Sequence, residues 1–457
     1  MKKVLVWLLA IAMIAVFSLA GCKEEAAEEE TAAEEETTAE EETEEEEEVE
    51  EVDPTSFEGT IEFWCFATEF ENFIPKFNEV YPNITINWTN IPNEEIASKL
   101  ETALGAGTGA PDVFVGEIAY VKKWVDSGVW ENLSAAPYNA EDLLGDTTPY
   151  VVDAGRDADG NIRGLSYQAT PGGVFYRRSM AQEYFGTDDP DEIAALMSTL
   201  DGYIDMGRTI NEESGGENFL LPGWQDLQWF PFNARTNPWV LDGQLMIDQP
   251  ILDYFDQAKT IRDEGLDNKL AQWSAEWFAG MNSNIFSYVL PTWGLFYVLD
   301  PTVNPAEPEE GVEYTSGDWA VTGGPASYFW GGTWLGIYKD SPVKDIAWEF
   351  VKYITTNKDF LKWDALTYGD YVSDLAVVEE IKDDFSWESL GGQNHYAFFY
   401  QEAPKIDSSK ITKYDQEIQN MVLAAITAYV EGNLTKEEAI AQFKTDVQTA
   451  YPEVSVD

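Results

Sequence analysis

Residues 60–66 read Thr-Ile-Glu-Phe-Trp-Cys-Phe, an alternating run of β-branched and aromatic residues that predicts a β-strand. A helix is predicted next, from apolar residues at helical spacing: Phe70, Phe73, Ile74 and Phe77. Tyr81-Pro82 ends this helix, because proline cannot continue it. Residues 84–88, Ile-Thr-Ile-Asn-Trp, then resume the strand pattern. Residues 60–88 are therefore predicted to form a β-α-β unit.

The same alternation of strand and helix continues along the chain. Asn93 is placed to cap a helix over residues 94–104, which ends at the glycine-rich residues 105–109. A short apolar strand follows at residues 113–115. Further helices are predicted at 118–127, 190–201, 250–264, 343–356, 414–430 and 436–449. Regular alternation of this kind is typical of an α/β fold with a parallel sheet.

Two local motifs support this assignment. Thr435 precedes the last predicted helix and Glu438 follows three residues later, which is a capping-box pattern. Residues 157–161, Asp-Ala-Asp-Gly-Asn, predict a turn between two strands, because the spacing and terminal glutamate of a calcium-binding loop are missing.

The amino terminus predicts export and lipid attachment. Lys2 and Lys3 precede an uncharged apolar run from Val4 to Ala20, and Leu19-Ala20-Gly21-Cys22 is a lipobox. Residues 1–21 are therefore interpreted as a lipoprotein signal peptide and Cys22 as the lipidated residue. The alternative is a retained transmembrane anchor, but the run is slightly shorter than the roughly 20 residues that span a bilayer.

An acidic segment follows Cys22. Residues 24–53 contain nineteen Asp and Glu residues and no aromatic residue. Like charges repel and there is almost no apolar surface to bury, so residues 22–53 are predicted to form a disordered tether between the lipid and the folded protein.

Composition excludes several classes of function. The chain has 84 Asp and Glu residues against 27 Lys and Arg, which gives a net charge of −57 and excludes nucleic-acid binding. Cys65 has no second cysteine in the folded region to pair with, so no disulfide is expected. His395 is the sole histidine and is interpreted as a structural residue. We expect no metal site, no cofactor and no catalytic residue.

Aromatic residues are abundant and many lie in turns. The chain has 17 Trp, 22 Tyr and 24 Phe residues. Several Trp residues adjoin Gly or Pro, as in Gly223-Trp224, Pro238-Trp239, Thr292-Trp293-Gly294 and Trp330-Gly331-Gly332-Thr333-Trp334. Aromatic rings in loops are candidates for a binding surface.

Taken in order, segments of the chain resemble the sugar-binding class of bacterial extracellular solute-binding proteins, the group that includes maltose-binding protein. They begin at residues 103–114 (Ala-Leu-Gly-Ala-Gly-Thr-Gly-Ala-Pro-Asp-Val-Phe) and continue with 128–133, 159–165, Phe175-Tyr176, Trp293, 331–337, 347–350 and 432–439. The chain departs from the maltose-binding pattern at residues 66–68 and at Thr170, so maltodextrin specificity is not implied.

The resemblance implies a two-lobed, type II periplasmic-binding-protein-like α/β fold. By matching segments, one lobe is expected at 57–168 plus 320–367 and the other at 169–319 plus 368–457. The expected connections lie near Tyr167, Val321 and Thr367. A solute held in the cleft touches both lobes and so favours the closed form.

The expected ligand is a sugar or oligosaccharide, which needs flat rings for stacking and polar groups for its hydroxyls. Ligands of α/β sheets lie beyond the carboxyl ends of strands, and this selects Trp64, Phe66 and Glu117, with Glu69 and Tyr120 nearby. The family resemblance adds the following candidates: Tyr167, Trp224, Trp229, Trp293, Trp330 and Trp334. Core packing is the alternative explanation for each of these rings.

The resemblance also implies the partners and the location. They are a carbohydrate ligand, the permease of an ABC transporter and, through Cys22, the membrane, and the protein is expected to be an extracytoplasmic monomer. Two alternatives stay open. One is a glycosidase with two cleft carboxylates about 5–10 Å apart, and the other is the same fold binding a polyamine, a peptide or a metal complex, since acidic clefts attract cations.

Overall fold

The computed structural model describes residues 53–456. The predicted signal peptide, the lipidated Cys22 and the tether, apart from its last residue Asp53, lie outside the described residues. Within residues 53–456, no helix is both long and apolar enough to cross a membrane.

The strands form two main sheets and a small hairpin. In chain order the strands are β1 Gly59–Cys65, β2 Ile84–Asn90, β3 Val113–Glu117, β4 Leu165–Ser166, β5 Gly172–Arg177, β6 Val240–Leu241, β7 Gln244–Leu245, β8 Ser287–Pro291, β9 Trp319–Thr322 and β10 Thr333–Ile337. The first sheet has the order β2-β1-β3-β10-β4 and the second β8-β5-β9, while β6 and β7 pair with each other.

The first sheet begins with the predicted β-α-β unit. β1 pairs with β2 and β3 in parallel, as the sequence pattern predicts. β10 returns antiparallel between β3 and β4. The first sheet is therefore mixed. Its antiparallel strand, β10, lies more than 200 residues after β3 in the chain.

The helices are α1 Phe70–Asn78, α2 Asn93–Ala106, α3 Val121–Ser127, α4 Pro149–Ala154, α5 Arg178–Phe185, α6 Pro190–Leu196, α7 Leu200–Ser214, α8 Trp229–Asn233, α9 Gln249–Asp263, α10 Ala275–Ala279, α11 Thr292–Gly294, α12 Asp300–Val303, α13 Lys344–Thr356, α14 Lys358–Tyr368, α15 Leu375–Ile381, α16 His395–Glu402, α17 Asp415–Val430 and α18 Lys436–Ala450. A π-helical turn, Leu295–Leu299, joins α11 to α12. Single 3₁₀ turns lie at Pro54–Ser56, Ala140–Leu143, Trp224–Gln228, Gly280–Asn282, Lys382–Asp384, Glu388–Leu390 and Ala403–Lys405.

Most predicted helices are found within a few residues of their expected bounds, and two details differ. Asn93 is the first residue of α2 and does not cap it, because its side-chain oxygen accepts a hydrogen bond from Tyr120 OH at 2.7 Å. The single helix predicted over 190–201 is two helices, since the hydroxyl of Thr199 caps α7 by accepting from Gly202 N at 3.0 Å. The capping box of Thr435 and Glu438 is confirmed.

The second sheet was not expected in this form. β5 pairs antiparallel with both β8 and β9. The sequence pattern predicts parallel strands throughout, and that prediction is wrong here. Strand pairing across more than 100 residues is set by tertiary packing, which the local pattern does not report.

Three connecting segments lie between the parts of the chain that build the two sheets. The first joins β4 to β5 through residues 167–171, and the second joins β9 to β10 through residues 323–332. The third follows α14 and lies beside the first, with Ala169 N donating to Tyr371 O and Ser373 N donating to Tyr167 O, both at 2.8 Å. These hydrogen bonds hold the first and third segments together.

We expect Gly336→Ala to destabilise the protein through the first sheet. A Cβ at Gly336, in the middle of β10, would overlap the buried ring of Trp130. Overpacking of this kind costs about 1–3 kcal/mol of unfolding free energy, measurable by urea denaturation. Gly105→Ala is the matched control, since that glycine lies in α2 with open space around it and the change should stabilise by about 0.5–1 kcal/mol. Equal stability of the two variants would contradict the packing described here.

Candidate functional site

A main cavity of about 450 Å³ opens where loops from both sheets meet. Ligand pockets of proteins commonly span roughly 300–1,000 Å³. The loop after β1, the end of β3, the first and second connecting segments and the turn after β8 all contribute to its wall. The lining residues are Phe66, Ala67, Thr68, Glu69, Asn93, Glu117, Gln168, Trp273, Trp293, Tyr297, Trp330, Gly331, Gly332 and Thr333.

A smaller side cavity of about 100 Å³ shares Glu117 and Trp330 with the main cavity. Its wall carries Trp229 and two ion pairs, Arg235 with Asp415 at 2.6 Å and Lys410 with Asp407 at 2.7 Å. The cations of the side cavity are therefore already neutralised by their own carboxylates.

Four tryptophans form a continuous tryptophan row through the two cavities: Trp273, Trp293, Trp330 and Trp229. The ring of Trp330 stacks on Trp229 with centroids 4.6 Å apart and meets Trp293 edge to face at 5.1 Å. Trp273 lies nearly parallel to Trp293, at 6.3 Å and an angle of 21°. The row supplies the flat apolar surface that a sugar ring requires.

The second connecting segment positions the centre of the row. Trp293, in the short helix after β8, donates from Nε1 to Trp330 O at 2.9 Å. Gly331 has φ +87° and a Cβ at this position would overlap the indole of Trp293. A glycine is needed here both for its backbone angle and for the close approach of the ring.

Carboxyl and amide groups also contribute to the wall of the main cavity. Glu69, just before α1, accepts a hydrogen bond from Tyr167 OH at 2.6 Å. Gln168 donates from Nε2 to Asp370 at 2.8 Å and accepts from Thr333 Oγ1 at 3.1 Å. The amide of Gln168 is therefore held between the carboxyl of Asp370, behind the cavity, and the hydroxyl of Thr333, on the cavity wall.

Burial raises the pKa values of two carboxyls in this region, Asp364 and Asp370. Burial first, and then the charges of Asp370 and Glu69, raise the pKa of Asp364 well above its ordinary value. Asp370 also has a raised pKa, mainly because it is buried, although the hydrogen bond from Gln168 acts in the opposite direction. The charge of Glu69 therefore disfavours the ionised form of both Asp364 and Asp370.

Glu117 is the carboxyl that faces both cavities. It lies at the end of β3, only 8% of its surface is exposed, and its Oε2 accepts from Ala119 N at 2.8 Å. Burial raises the pKa of Glu117 to about 7, against the lowering effect of the backbone hydrogen bonds. Glu117 is therefore close to half protonated near neutral pH.

The predicted site residues divide into three groups. Phe66, Glu69, Glu117, Trp293 and Trp330 line the main cavity, and Trp229 lines the side cavity. Tyr120 and Tyr167 lie behind the wall and hydrogen-bond to Asn93 and Glu69, which line it. Trp64, Trp224 and Trp334 line neither cavity.

These last three tryptophans have structural contacts. Trp224 and Trp334 are each 1% exposed, with Tyr254 packed against Trp224 and Val151 O accepting from Trp334 Nε1 at 2.9 Å. Trp64 is half-buried against the hydrophobic core. A turn sequence rich in Gly and Trp did not distinguish the buried rings of Trp224 and Trp334 from the cavity rings.

Sequence reasoning missed several residues of the wall, above all Gln168, Trp273 and Tyr297. Trp273 is 45% exposed and has φ +69°, but no Gly or Pro beside it signals a turn. Tyr297 lies on the π-helical turn after α11 and is also exposed. Gln168 could have been found, because it adjoins Tyr167 at the first predicted connection.

Comparisons with known proteins agree with this architecture. The sequence profile of bacterial extracellular solute-binding proteins matches residues 72–384. The chain is similar to the maltotriose-binding protein of Pyrococcus abyssi (strain GE5 / Orsay), with 25% identity over 368 residues, which is 74% of this chain and 71% of that protein.

Solved structures with a similar fold include an extracellular solute-binding protein of family 1, with a TM-score of 0.75, 18% identity, and coverage of 86% of this chain and 99% of that one. The sugar-binding protein MalE from Xanthomonas citri gives 0.69 at 18% identity, covering 86% and 97%. An ABC transporter-associated binding protein from B. animalis subsp. lactis Bl-04, solved with β-1,6-galactobiose, gives 0.68 at 19% identity, covering 88% and 100%. At such identities these structures show the two-lobed fold.

We expect Glu117→Gln to become more stable than the wild type as pH rises. The pKa of Glu117 is higher in the folded protein, about 7, than its ordinary value of 4.5. Its contribution to stability is therefore complete below about pH 4.5 and is lost as pH rises through 7. Glutamine stays neutral, so the difference in unfolding free energy should grow in favour of the variant by roughly 2 kcal/mol, at about 1.4 kcal/mol per pKa unit.

Urea denaturation between pH 5 and pH 8 measures this difference. Glu71→Gln, on the exposed surface of α1, removes the same charge outside the cavity and is the control. A stability difference for Glu117→Gln that does not change with pH would contradict the raised pKa of Glu117.

Proposed function

The chain belongs to the bacterial extracellular solute-binding proteins, and from that premise we propose that its cleft captures a sugar or short oligosaccharide for the permease of an ABC transporter. The family places the protein outside the cytoplasm. The observation that carries the sugar assignment is that three rings of the tryptophan row line one cavity together with hydrogen-bonding groups.

The chemistry of the cavity wall fits a saccharide. A sugar ring has apolar C–H faces and a rim of hydroxyls, so it requires flat rings together with groups that accept and donate hydrogen bonds. Trp273, Trp293 and Trp330 supply the rings, while Glu117 and Gln168 supply polar groups. The names of relatives point the same way, since one binds maltotriose and another was solved with a galactobiose.

Capture is proposed to work through the connecting segments. Trp330 and Gly331 lie in the second segment and Gln168 in the first, so a ligand in the main cavity touches the parts of the chain that link the two sheets. A ligand that contacts both lobes binds the closed form better and shifts the population toward it. The permease then recognises the closed, loaded protein.

The lobes and the anchor complete this proposal. One lobe is proposed to comprise about residues 57–168 plus 320–367, and the other about residues 169–319 plus 368–457. The pairing of β9 with β5 of the second sheet favours a change of lobe a few residues later, after Thr322. Cys22 carries the lipid anchor, residues 22–53 form the tether, and the protein acts as a monomer.

Catalysis is not part of the proposed function. The relatives named above are binding proteins. A glycosidase also requires one carboxyl acid and one carboxylate on either side of the scissile bond. In the main cavity, Glu69 and Glu117 are the lining carboxyls.

We expect Trp293→Ala to weaken the affinity for the saccharide at least tenfold, a loss of about 1.4 kcal/mol. The variant loses both the stacking ring and the hydrogen bond to Trp330 O. Trp88→Ala is the control, because Trp88 is half-buried on the edge strand β2 and lines neither cavity. Affinity is measured by calorimetry or by the change in tryptophan fluorescence, and an unchanged affinity would remove Trp293 from the site.

We expect a saccharide to raise the melting temperature with concentration and to be recovered intact. A ligand at 100 times its Kd stabilises the folded state by about 2.7 kcal/mol. A thermal-shift screen of mono- and oligosaccharides, followed by an assay for new reducing ends, tests both parts. Release of reducing ends would show an enzyme, and a screen in which no saccharide stabilises the protein would refute the sugar assignment.

A further inference from the structure

The carboxyls of the main cavity have no basic side chain beside them. Its wall includes Glu69 and Glu117 but no Lys, Arg or His. Asp364 and Asp370 lie close behind Glu69, whose charge raises the pKa of both. None of these four residues, here called the cleft carboxyls, has a basic nitrogen within 4.0 Å in the described part of the chain. The salt bridges of residues 53–456 therefore leave this region unneutralised.

Most buried carboxyls elsewhere in the described chain have a basic partner. Those with a Lys or Arg partner within 4.0 Å are Asp267, Glu349, Asp374, Glu402 and Asp415. Those without one are three of the cleft carboxyls and Asp226, which accepts a hydrogen bond from Trp277 Nε1 at 3.0 Å. The buried carboxyls that lack a basic partner are therefore concentrated at the cleft.

One carboxyl oxygen behind the cavity wall lacks a partner, and one carboxyl on the wall is open to the cavities. Asp364 is 1% exposed and its Oδ2 has no hydrogen-bond partner among the described residues. Glu117 uses Oε2 for its hydrogen bond from Ala119 N, and the small exposed part of its side chain faces the cavities. Buried acids in native proteins normally have such partners, because an unpartnered polar group costs free energy.

We infer that the ligand of this cleft is an amino saccharide, a mono- or oligosaccharide that bears at least one protonated amino group facing the cleft carboxyls. This inference rests on the proposed function and narrows its substrate class. The ammonium group replaces the missing cation, and the ring faces of the sugar stack on the tryptophan row.

The electrostatics favour an ammonium group over a hydroxyl in this position. A hydroxyl donates a hydrogen bond to a carboxylate but leaves its charge uncompensated in a buried site, whereas a cation stabilises the charged form of every carboxyl nearby. Tryptophan faces also attract cations. Both the tryptophan row and the cleft carboxyls therefore favour the binding of a cationic sugar.

A metal ion fits the cleft less well. Within residues 53–456, no three His, Cys, Asp or Glu side chains are close enough together to hold a metal ion. An organic cation, which spreads its hydrogen bonds over several acceptors, matches this arrangement.

Calorimetry on the full chain at pH 6 and low salt tests the inference. The probes are matched pairs of saccharides with one to three rings, namely the glucosamine and galactosamine series and their N-acetyl counterparts, together with maltotriose and spermidine. An amino saccharide is expected to bind at least tenfold more tightly than its N-acetyl counterpart and more tightly than maltotriose. Its binding should release protons, because a cation lowers the pKa of the neighbouring acids.

Glu117→Gln and Asp364→Asn are expected to reduce the ratio of amino to N-acetyl affinity severalfold. Glu71→Gln, the exposed control, should leave that ratio unchanged. Circular dichroism and the melting temperature verify that each variant is folded. If a cleft variant does not fold, the wild type alone tests the inference. The measurements are then its ratio of amino to N-acetyl affinity and the protons released on binding.

The outcomes separate this inference from the proposed function. N-acetyl or neutral saccharides that bind as well as or better than every amino form would overturn the inference and leave the sugar-binding function intact. Binding of spermidine with no response to any saccharide would overturn both, in favour of a polyamine ligand. No response to any probe would also overturn both.

Discussion

The backbone segments that join the two sheets lie side by side and satisfy each other's hydrogen bonds. Ala169 N donates to Tyr371 O and Ser373 N to Tyr167 O, so the first and third segments form a short ladder. Thr170 is bonded to the second segment through its hydroxyl, which donates to Gly331 O at 3.1 Å. Buried backbone groups must be paired, and these bonds hold the three segments together.

The connecting segments fix the positions of residues that line the cleft. Gln168 is fixed because it lies within the ladder, and Trp330 is fixed because its backbone carbonyl accepts the hydrogen bond from Trp293. The positions of Gln168 and Trp330 in the wall of the main cavity therefore depend on hydrogen bonds to the backbone. Preorganisation of this kind lowers the entropic cost of binding.

Function and stability make opposite demands on the cleft carboxyls. Burial raises the pKa of Glu117, Asp364 and Asp370, so each is harder to ionise in the folded protein than in water. Such groups reduce stability at neutral pH, and a core selected for stability alone would replace them with apolar side chains. Their place beside an open cavity indicates that the cost is offset when a ligand is bound.

Local sequence determined the parts of this protein that depend on neighbouring residues. The strand at residues 60–66, the helix that follows it and the capping box of Thr435 are all predicted correctly, because alternation, helical spacing and capping act over a few residues. Glycine beside tryptophan also placed Trp293 and Trp330 near a turn.

Tertiary structure alone decided the antiparallel second sheet, the burial of Trp224 and Trp334, the exposure of Trp273, and the meeting of Glu69 with Asp364 and Asp370. These outcomes depend on pairings across about 50 to 300 residues, for which packing and desolvation supply the free energy. No pattern within a short window of sequence encodes such pairings.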